Sequence, residues 1–257
     1  MPNIIENTLF YEEFGNGPAM LLLHGFLENR KMWMPFVPEL SKKHRLVLID
    51  LPGHGKSDVL KGAQNLVLMA AEIKKLVDHL QLKDLKFVGH SMGGYVALAY
   101  AERFPEDISG ICLLNSTPKA DTAERVALRE HGITVAKKNY HALVSMSVAN
   151  LFSQHLRSRL TEAIQITKQE ALQTPLEGYI YSQKVMAIRD DSTEFWKNGN
   201  FKKMMILGAQ DTLICAEDLK NEFTEYDVQI DVLEGGHMLT IETVSYTHLR
   251  AHETVLD

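Results

Sequence analysis

The sequence predicts an α/β fold in which a mostly parallel central sheet is flanked by helices and carries an inserted helical cap. Apolar runs typical of strands alternate with helical stretches over most of the chain. A glycine-rich turn joins one strand to a helix of small residues, and residues 117–199 break the alternation with several amphipathic stretches. We therefore predict a core formed by residues 1–116 and 200–243 and a cap formed by residues 117–199.

Each element is predicted from the spacing of its apolar residues. Short apolar or alternating runs indicate strands near residues 9–14, 19–24, 46–51, 85–88, 110–115, 202–207 and 228–234. Apolar residues at helical spacing indicate core helices near residues 32–41, 65–80, 92–103 and 216–223. The alternation of strands and helices predicts a largely parallel sheet.

The glycine-rich turn reads G-H-S-M-G-G at residues 89–94. A serine at a sharp strand-to-helix turn adopts strained backbone dihedral angles, which lift its hydroxyl clear of the sheet. Glycines are needed at Gly89 and Gly93 because any side chain there would collide with its neighbours. The turn therefore predicts that Ser91 is a nucleophile.

A serine hydroxyl is a poor nucleophile near neutral pH, so it needs a histidine base and a carboxylate that orients the histidine. Asp211 lies on the loop after one predicted strand, and His237 follows the last predicted strand. These two residues are the predicted acid and base. Asp50 and Asp58 remain alternative acids, although their position in the chain favours them less.

The chain resembles the α/β-hydrolase superfamily, and specifically its small esterases and enol-lactonase-like serine hydrolases. The resemblance covers residues 9–242 and rests on segments in a fixed order, L-L-L-H-G-F at 21–26, D-L-P-G-H-G-K-S at 50–57, G-H-S-M-G-G at 89–94 and G-H at 236–237. The order Ser, Asp, His is also that of this superfamily. The resemblance implies an α/β-hydrolase fold, with an oxyanion hole formed by the backbone N–H groups of Phe26 and Met92.

The resemblance further implies a serine hydrolase that cleaves small carboxylic esters, lactones or thioesters through an acyl-enzyme, without a cofactor or a metal. A serine at position 91 disfavours epoxide hydrolases and haloalkane dehalogenases, which need a carboxylate nucleophile. Relatives with the same three residues also hydrolyse carbon–carbon bonds or act as cofactor-free haloperoxidases, so these activities remain alternatives. A catalytically silent ligand-binding protein is the alternative from another class.

The cap is predicted to lie over Ser91 and to shape the substrate pocket. The residues predicted to line this pocket are His24, Val144, Met146 and Phe152. The cap sequence shows no charge cluster that would bind a phosphate, a carboxylate or a carrier protein. Because the cap is modest and lacks a long apolar lid, we expect short to medium acyl chains.

Composition indicates one main domain with a small-molecule partner. The chain has 257 residues, of which 45% are hydrophobic and 23% charged, enough to bury a large core. A formal net charge of −6 and the lack of long Lys/Arg runs argue against nucleic acid or a membrane as partner. Two cysteines provide no disulfide framework, and no signal peptide or membrane-spanning segment is evident, so we expect a cytoplasmic protein.

The end of the chain departs from the resemblance. Residues 244–257 replace the apolar final helix of relatives with a string that resembles a translated sequencing-library adapter. His248 and His252 have the spacing of metal ligands on a helix, and would otherwise suggest a zinc site. We expect this tail to be an artefact and assign it no function.

Overall fold

The structure is a computed structural model that describes residues 3–4, 9–62 and 64–243; the predicted tail at 244–257 lies outside these ranges. The described residues form one sheet of strands β1 (Asn3–Ile4), β2 (Phe10–Phe14), β3 (Ala19–Leu23), β4 (Arg45–Ile49), β5 (Leu85–His90), β6 (Ile108–Leu114), β7 (Lys202–Gly208) and β8 (Gln229–Leu233). Their order is β1-β2-β4-β3-β5-β6-β7-β8. Neighbours from β4 across to β8 are parallel, whereas β1 and β2 are antiparallel. The predicted mostly parallel sheet is confirmed.

The α-helices of the described chain are α1 (Val37–Leu40), α2 (Leu66–His79), α3 (Met92–Arg103), α4 (Ala123–Leu151), α5 (Thr161–Ala171), α6 (Leu176–Ala187), α7 (Thr193–Asn198), α8 (Ala216–Phe223) and α9 (Leu239–Glu242). The helix predicted at 32–41 differs from expectation. It is a 3-10 helix, Arg30–Phe36, that continues into α1. Pro35 lies inside it and has no N–H for an α-helical hydrogen bond. Within the described ranges, every helix is too short or too polar to cross a lipid bilayer.

Both faces of the sheet are covered, as β3 illustrates. Leu21 and Leu23 pack in one apolar cluster with residues of α2 and α3. Met20 and Leu22 pack in a second cluster with residues of the segment Arg30–Phe36 and of α1. Successive side chains of a strand point to opposite faces, so a strand buried on both sides reads as a continuous apolar run. This is why the central strands are recognisable in the sequence.

The cap comprises α4 to α7. Helix α4 is kinked at Asn139, which has φ −152° and ψ 79°. The Asn139 side chain accepts a hydrogen bond from the Ala142 N–H at 3.2 Å, as a capping residue does where a helix restarts. A third apolar cluster joins cap helices to Leu27, which follows β3, and to Met238, which follows β8. The cap is thus seated on loops at the carboxyl edge of the sheet.

Asp50 follows β4 and organises two loops at this edge. Its fully buried carboxylate accepts hydrogen bonds from the Arg30 N–H and guanidinium, both at 2.8 Å, and from the Lys56 N–H at 2.9 Å. Asp58, by contrast, is exposed. Neither Asp50 nor Asp58 hydrogen-bonds to His237, the residue that such an acid would have to orient, and Asp50 instead helps to neutralise a buried arginine.

Substituting Asp50→Asn should lower the free energy of unfolding by about 3 kcal/mol, because it removes the more deeply buried of the two carboxylates, Asp50 and Glu12, that compensate the Arg30 guanidinium. Urea denaturation followed by circular dichroism measures this. Asp58→Asn is the matched control, since its side chain is exposed, and should change stability by less than about 0.5 kcal/mol. Equal effects of the two substitutions would contradict this role of Asp50.

Candidate active site

Ser91 lies at the junction of β5 and α3 in a strained conformation. Its φ is +48° and its ψ is −114°, a region that non-glycine residues enter at a cost of about 1–3 kcal/mol. Two hydrogen bonds hold it there: the Ser91 N–H donates to the Leu114 carbonyl at 3.0 Å, and the Ser116 hydroxyl donates to the Ser91 carbonyl at 2.8 Å. The surrounding strands therefore impose the turn that the sequence predicts.

The two predicted glycines permit this turn. A Cβ atom on Gly93 would lie 2.2 Å from the carbonyl oxygen of Leu23, at the end of β3. A Cβ atom on Gly89 would lie 2.5 Å from the backbone nitrogen of Gly94. Both separations are far below van der Waals contact. Only glycine at these positions allows α3 to begin directly against the end of β3.

The structure brings the three predicted side chains together. The Nε2 atom of His237 lies 2.9 Å from the Ser91 hydroxyl oxygen, and its Nδ1 atom lies 2.7 Å from Oδ2 of Asp211. Asp211 follows β7, His237 follows β8, and both strands are parallel to β5. Because parallel strands end at the same edge of the sheet, residues far apart in the chain converge there.

Asp211 is a buried carboxylate held in its charged form. Burial alone would raise its pKa, but His237 and hydrogen bonds from its surroundings lower that pKa below the usual value. The Asn115 side-chain amide donates to Oδ2 at 2.7 Å, and the Leu213 N–H donates to Oδ1 at 2.8 Å. Asp211 can therefore orient His237 through Nδ1 while staying ionised.

Two backbone N–H groups near Ser91 are available for a ligand. Within the described part of the chain, neither the Phe26 N–H nor the Met92 N–H donates a hydrogen bond. The neighbours of Phe26 are occupied, because Gly25 donates to Glu28 at 2.6 Å and Leu27 donates to His54 at 3.2 Å. Met92 is the first residue of α3, where N–H groups lack an intrahelical acceptor.

A cavity of about 810 Å³ opens above Ser91 and His237. Its apolar lining comes from the cap and from the loop after β3, and includes Phe26, Leu128, Val135, Leu143, Met146 and Met186. Polar side chains also line the cavity, among them Arg125, Arg129 and Gln183. Among the described residues, no cluster of three or more His, Cys, Asp or Glu side chains is arranged to hold a metal ion.

The four predicted pocket residues have different positions. Met146 lines the cavity and is 68% exposed. Val144 and Phe152 do not line it; both are buried in the apolar cluster of the cap. Two residues along a helix is more than half a turn, so Val144 and Met146 face different sides of α4. His24 also lies outside the cavity lining, buried below the edge of the sheet.

Comparison with known proteins places this architecture in a family. A sequence profile described as alpha/beta hydrolase fold matches residues 18–242. The chain belongs to the α/β-hydrolase fold family. Among curated relatives, the 3-oxoadipate enol-lactonase 1 of Acinetobacter baylyi is 26% identical over 230 residues, which are 88% of this chain and 84% of that protein.

Solved structures show the same α/β-hydrolase fold. A thermophilic esterase from Thermogutta terrifontis matches with a TM-score of 0.89 at 26% identity, covering 95% of this chain and 92% of that one. The enol-lactonase from Burkholderia xenovorans matches with a TM-score of 0.85 at 23% identity, covering 95% of this chain and 94% of that one. The predicted fold is confirmed.

A buried ion pair in this α/β-hydrolase was not anticipated from the sequence. The Nδ1 atom of His90 lies 2.7 Å from Oε2 of Glu28, and its Nε2 atom lies 2.9 Å from the His237 carbonyl oxygen. Burial alone would lower the pKa of His90, but the charge of Glu28 and the hydrogen bond between them raise that pKa above its usual value. Burial alone would raise the pKa of Glu28, but the charge of His90 and the same hydrogen bond lower it below its usual value. The pair connects the loops of Phe26, Ser91 and His237.

Two further histidines near the site are neutral acceptors. His24 accepts a hydrogen bond from the Leu51 N–H at 2.8 Å, and His54 accepts one from the Leu27 N–H at 3.2 Å. Burial lowers the pKa of His24 to about 4 and that of His54 to about 3. Both therefore serve to fix loops, and His24, which was predicted to line the pocket, is fully buried.

Substituting Glu28→Gln should lower the free energy of unfolding by about 3 kcal/mol, because buried His90 loses its counter-charge. The stability from Glu28, whose pKa is lowered, is complete above pH 4.5 and is lost as pH falls through its folded pKa. The stability from His90, whose pKa is raised, is complete below pH 6.5 and is lost as pH rises through its folded pKa. The effect should therefore be largest between pH 4.5 and 6.5.

Urea denaturation of wild type and variant at about pH 5.5 and about pH 9 measures this dependence. Glu225→Gln, at an exposed position, is the matched control. A stability difference that is the same at both pH values would mean that Glu28 and His90 do not form an ion pair.

Proposed function

We propose that this α/β-hydrolase is a serine hydrolase that cleaves small carboxylic esters or lactones through an acyl-enzyme. The observation that carries the proposal is the chain of hydrogen bonds from the Ser91 hydroxyl through His237 to Asp211, at 2.9 and 2.7 Å, beside a cavity. Relatives named as an enol-lactonase and an esterase, each 26% identical to this chain, support ester or lactone bonds as the target.

The first half of the reaction forms the acyl-enzyme. Nε2 of His237 takes the hydroxyl proton as Oγ of Ser91 attacks the carbonyl carbon, while Asp211 holds Nδ1–H and stabilises the imidazolium. The carbonyl oxygen becomes an anion and accepts hydrogen bonds from the Phe26 and Met92 N–H groups. His237 then gives its proton to the departing alcohol oxygen, which leaves with the electrons of the broken bond.

The second half releases the acid. A water molecule gives a proton to His237 and attacks the acyl carbon, and the same two N–H groups stabilise the new oxyanion. The tetrahedral intermediate collapses, and His237 returns the proton to Oγ of Ser91. The product is a carboxylic acid, and the enzyme regains its starting state. A lactone follows the same steps but yields one hydroxy acid, because its alcohol and acyl parts are joined.

Substituting Ser91→Ala should lower kcat/KM for p-nitrophenyl butyrate at least about 10³-fold, because the nucleophile is lost. A fluorophosphonate probe should label the wild type but not this variant, as measured by mass spectrometry of the intact protein. Ser158→Ala, at an exposed position in the cap, is the matched control and should retain both properties. A folded wild type that neither labels nor hydrolyses any ester would point to a ligand-binding protein.

A substrate panel assigns the bond that is cleaved. It contains p-nitrophenyl esters, lactones and acyl thioesters, with a vinylogous diketone for comparison. Turnover of the diketone without turnover of any ester would overturn the proposal in favour of carbon–carbon hydrolysis.

Substituting Asp211→Asn should lower kcat by about 10³- to 10⁴-fold, because an amide neither orients His237 in the required tautomer nor stabilises its cation. Steady-state kinetics with p-nitrophenyl butyrate measures this. Asp58→Asn is the control for loss of a carboxylate at an exposed position. If Asp211→Asn kept wild-type kcat, another carboxylate would have to serve as the acid.

A further inference from the structure

Three arginines of the cap converge on one buried carboxylate, a charge cluster that the cap sequence did not reveal. Oδ1 of Asp121 lies 2.7 Å from Nη1 of Arg189 and 3.6 Å from Nε of Arg125. Arg129 contacts both oxygens through Nε and Nη2. The Asp121 side chain is fully buried. Burial alone would raise its pKa, but hydrogen bonds and charges from Arg129 and Arg189 lower that pKa below its usual value. One negative charge faces three positive charges, so the cluster has an excess of positive charge.

Two of these arginines face the cavity above Ser91. Arg125 and Arg129 line the same cavity as Ser91 and His237. Among the described residues, Glu28 is the acidic side chain that lines this cavity, and its charge is paired with His90. The part of the cavity lining formed by Arg125 and Arg129 therefore has a positive electrostatic potential that no lining carboxylate cancels.

The two arginines are held differently. Arg129 is 13% exposed; Asp121 holds its Nε and Nη2 atoms, and its Nη1 atom donates to Gln183 at 3.0 Å. Arg125 is 36% exposed, and its Nη1 atom donates to the Leu213 carbonyl at 2.9 Å. Its Nη2 atom donates to no acceptor in the described ranges. Arg125 is thus positioned by the protein but keeps hydrogen-bond donors for a ligand.

We propose that Arg125, supported by Arg129, forms an anion subsite that selects esters or lactones carrying an additional carboxylate. A planar guanidinium edge matches a carboxylate in geometry and charge. The reacting carbonyl lies at Ser91, and the carboxylate of the same molecule is bound by Arg125 in the same cavity. The preference for hydrolysing carboxylate-bearing esters rests on the proposed function, whereas binding of a carboxylate at Arg125 does not.

Matched ester pairs test the preference. Monoethyl glutarate and ethyl pentanoate have the same chain length and differ by a carboxylate on the acyl side. Butyrylglycolate and ethyl butyrate differ in the same way on the alcohol side. We expect the wild type to have the higher kcat/KM for the charged member of at least one pair, with an advantage that decreases as salt is added. If the wild type hydrolyses these esters and prefers neither charged one, the proposal is overturned.

Substitutions at Arg125 test whether the preference for the charged ester depends on this residue. In Arg125→Gln the ratio of kcat/KM for charged over neutral ester should fall about tenfold, mainly through KM, because a charge-assisted hydrogen bond is lost. Arg125→Lys keeps the charge without the planar edge and should lose less. Arg159→Gln removes the same charge at an exposed cap position outside the cavity lining and should leave the ratio unchanged. An unchanged ratio in Arg125→Gln excludes the subsite.

A binding measurement separates this proposal from the proposed function. Titration calorimetry of the Ser91→Ala protein with both charged esters needs no catalysis. We expect binding of at least one of them that is about tenfold weaker when Arg125→Gln is added, and no such loss with Arg159→Gln. Binding without turnover by the wild type would retain the subsite and reject the hydrolase, whereas equal binding with and without Arg125 would reject the subsite alone.

Discussion

The positive φ of Ser91 is the constraint on which the site depends. The turn brings the first residue of α3 against the end of β3, where the Leu23 carbonyl leaves no room for a Cβ on Gly93. One close backbone contact therefore places the Ser91 hydroxyl, the Met92 N–H and the loop of Phe26 at one edge of the sheet. Strain at this turn is maintained by strands on both sides, which the large apolar core holds in place.

Charges beneath the site are paired and serve to position loops. Asp50 is paired with Arg30, and Glu28 with His90. Each pair joins segments that are distant in the chain, so its hydrogen bonds fix one loop against another. Buried ion pairs contribute little net stability compared with apolar packing, but loss of one partner is costly. The geometry at Ser91 therefore depends on groups that do not touch a substrate.

The cap uses α4 for two purposes. Val144 anchors the cap in its own apolar cluster, whereas Met146 is exposed to the cavity; Val148 belongs to that cluster and also lines the cavity. Nearer its beginning, the same helix carries Arg125 and Arg129 on the cavity wall. The cavity thus combines apolar side chains with two arginines. In the proposed subsite, this charge would orient a bound carboxylate relative to Ser91.

The sequence by itself determined the fold and predicted that Ser91, Asp211 and His237 lie together, because glycines at a tight turn and residues at the ends of buried strands leave local signals. It did not determine which face of α4 lines the cavity, since Asn139 breaks the helical period. Asp121, Arg125 and Arg129 have the spacing of ordinary ion pairs on a helix surface. Only tertiary structure decided that Arg125 and Arg129 line the cavity, because contacts between distant segments, like that of Glu28 with His90, are absent from local patterns.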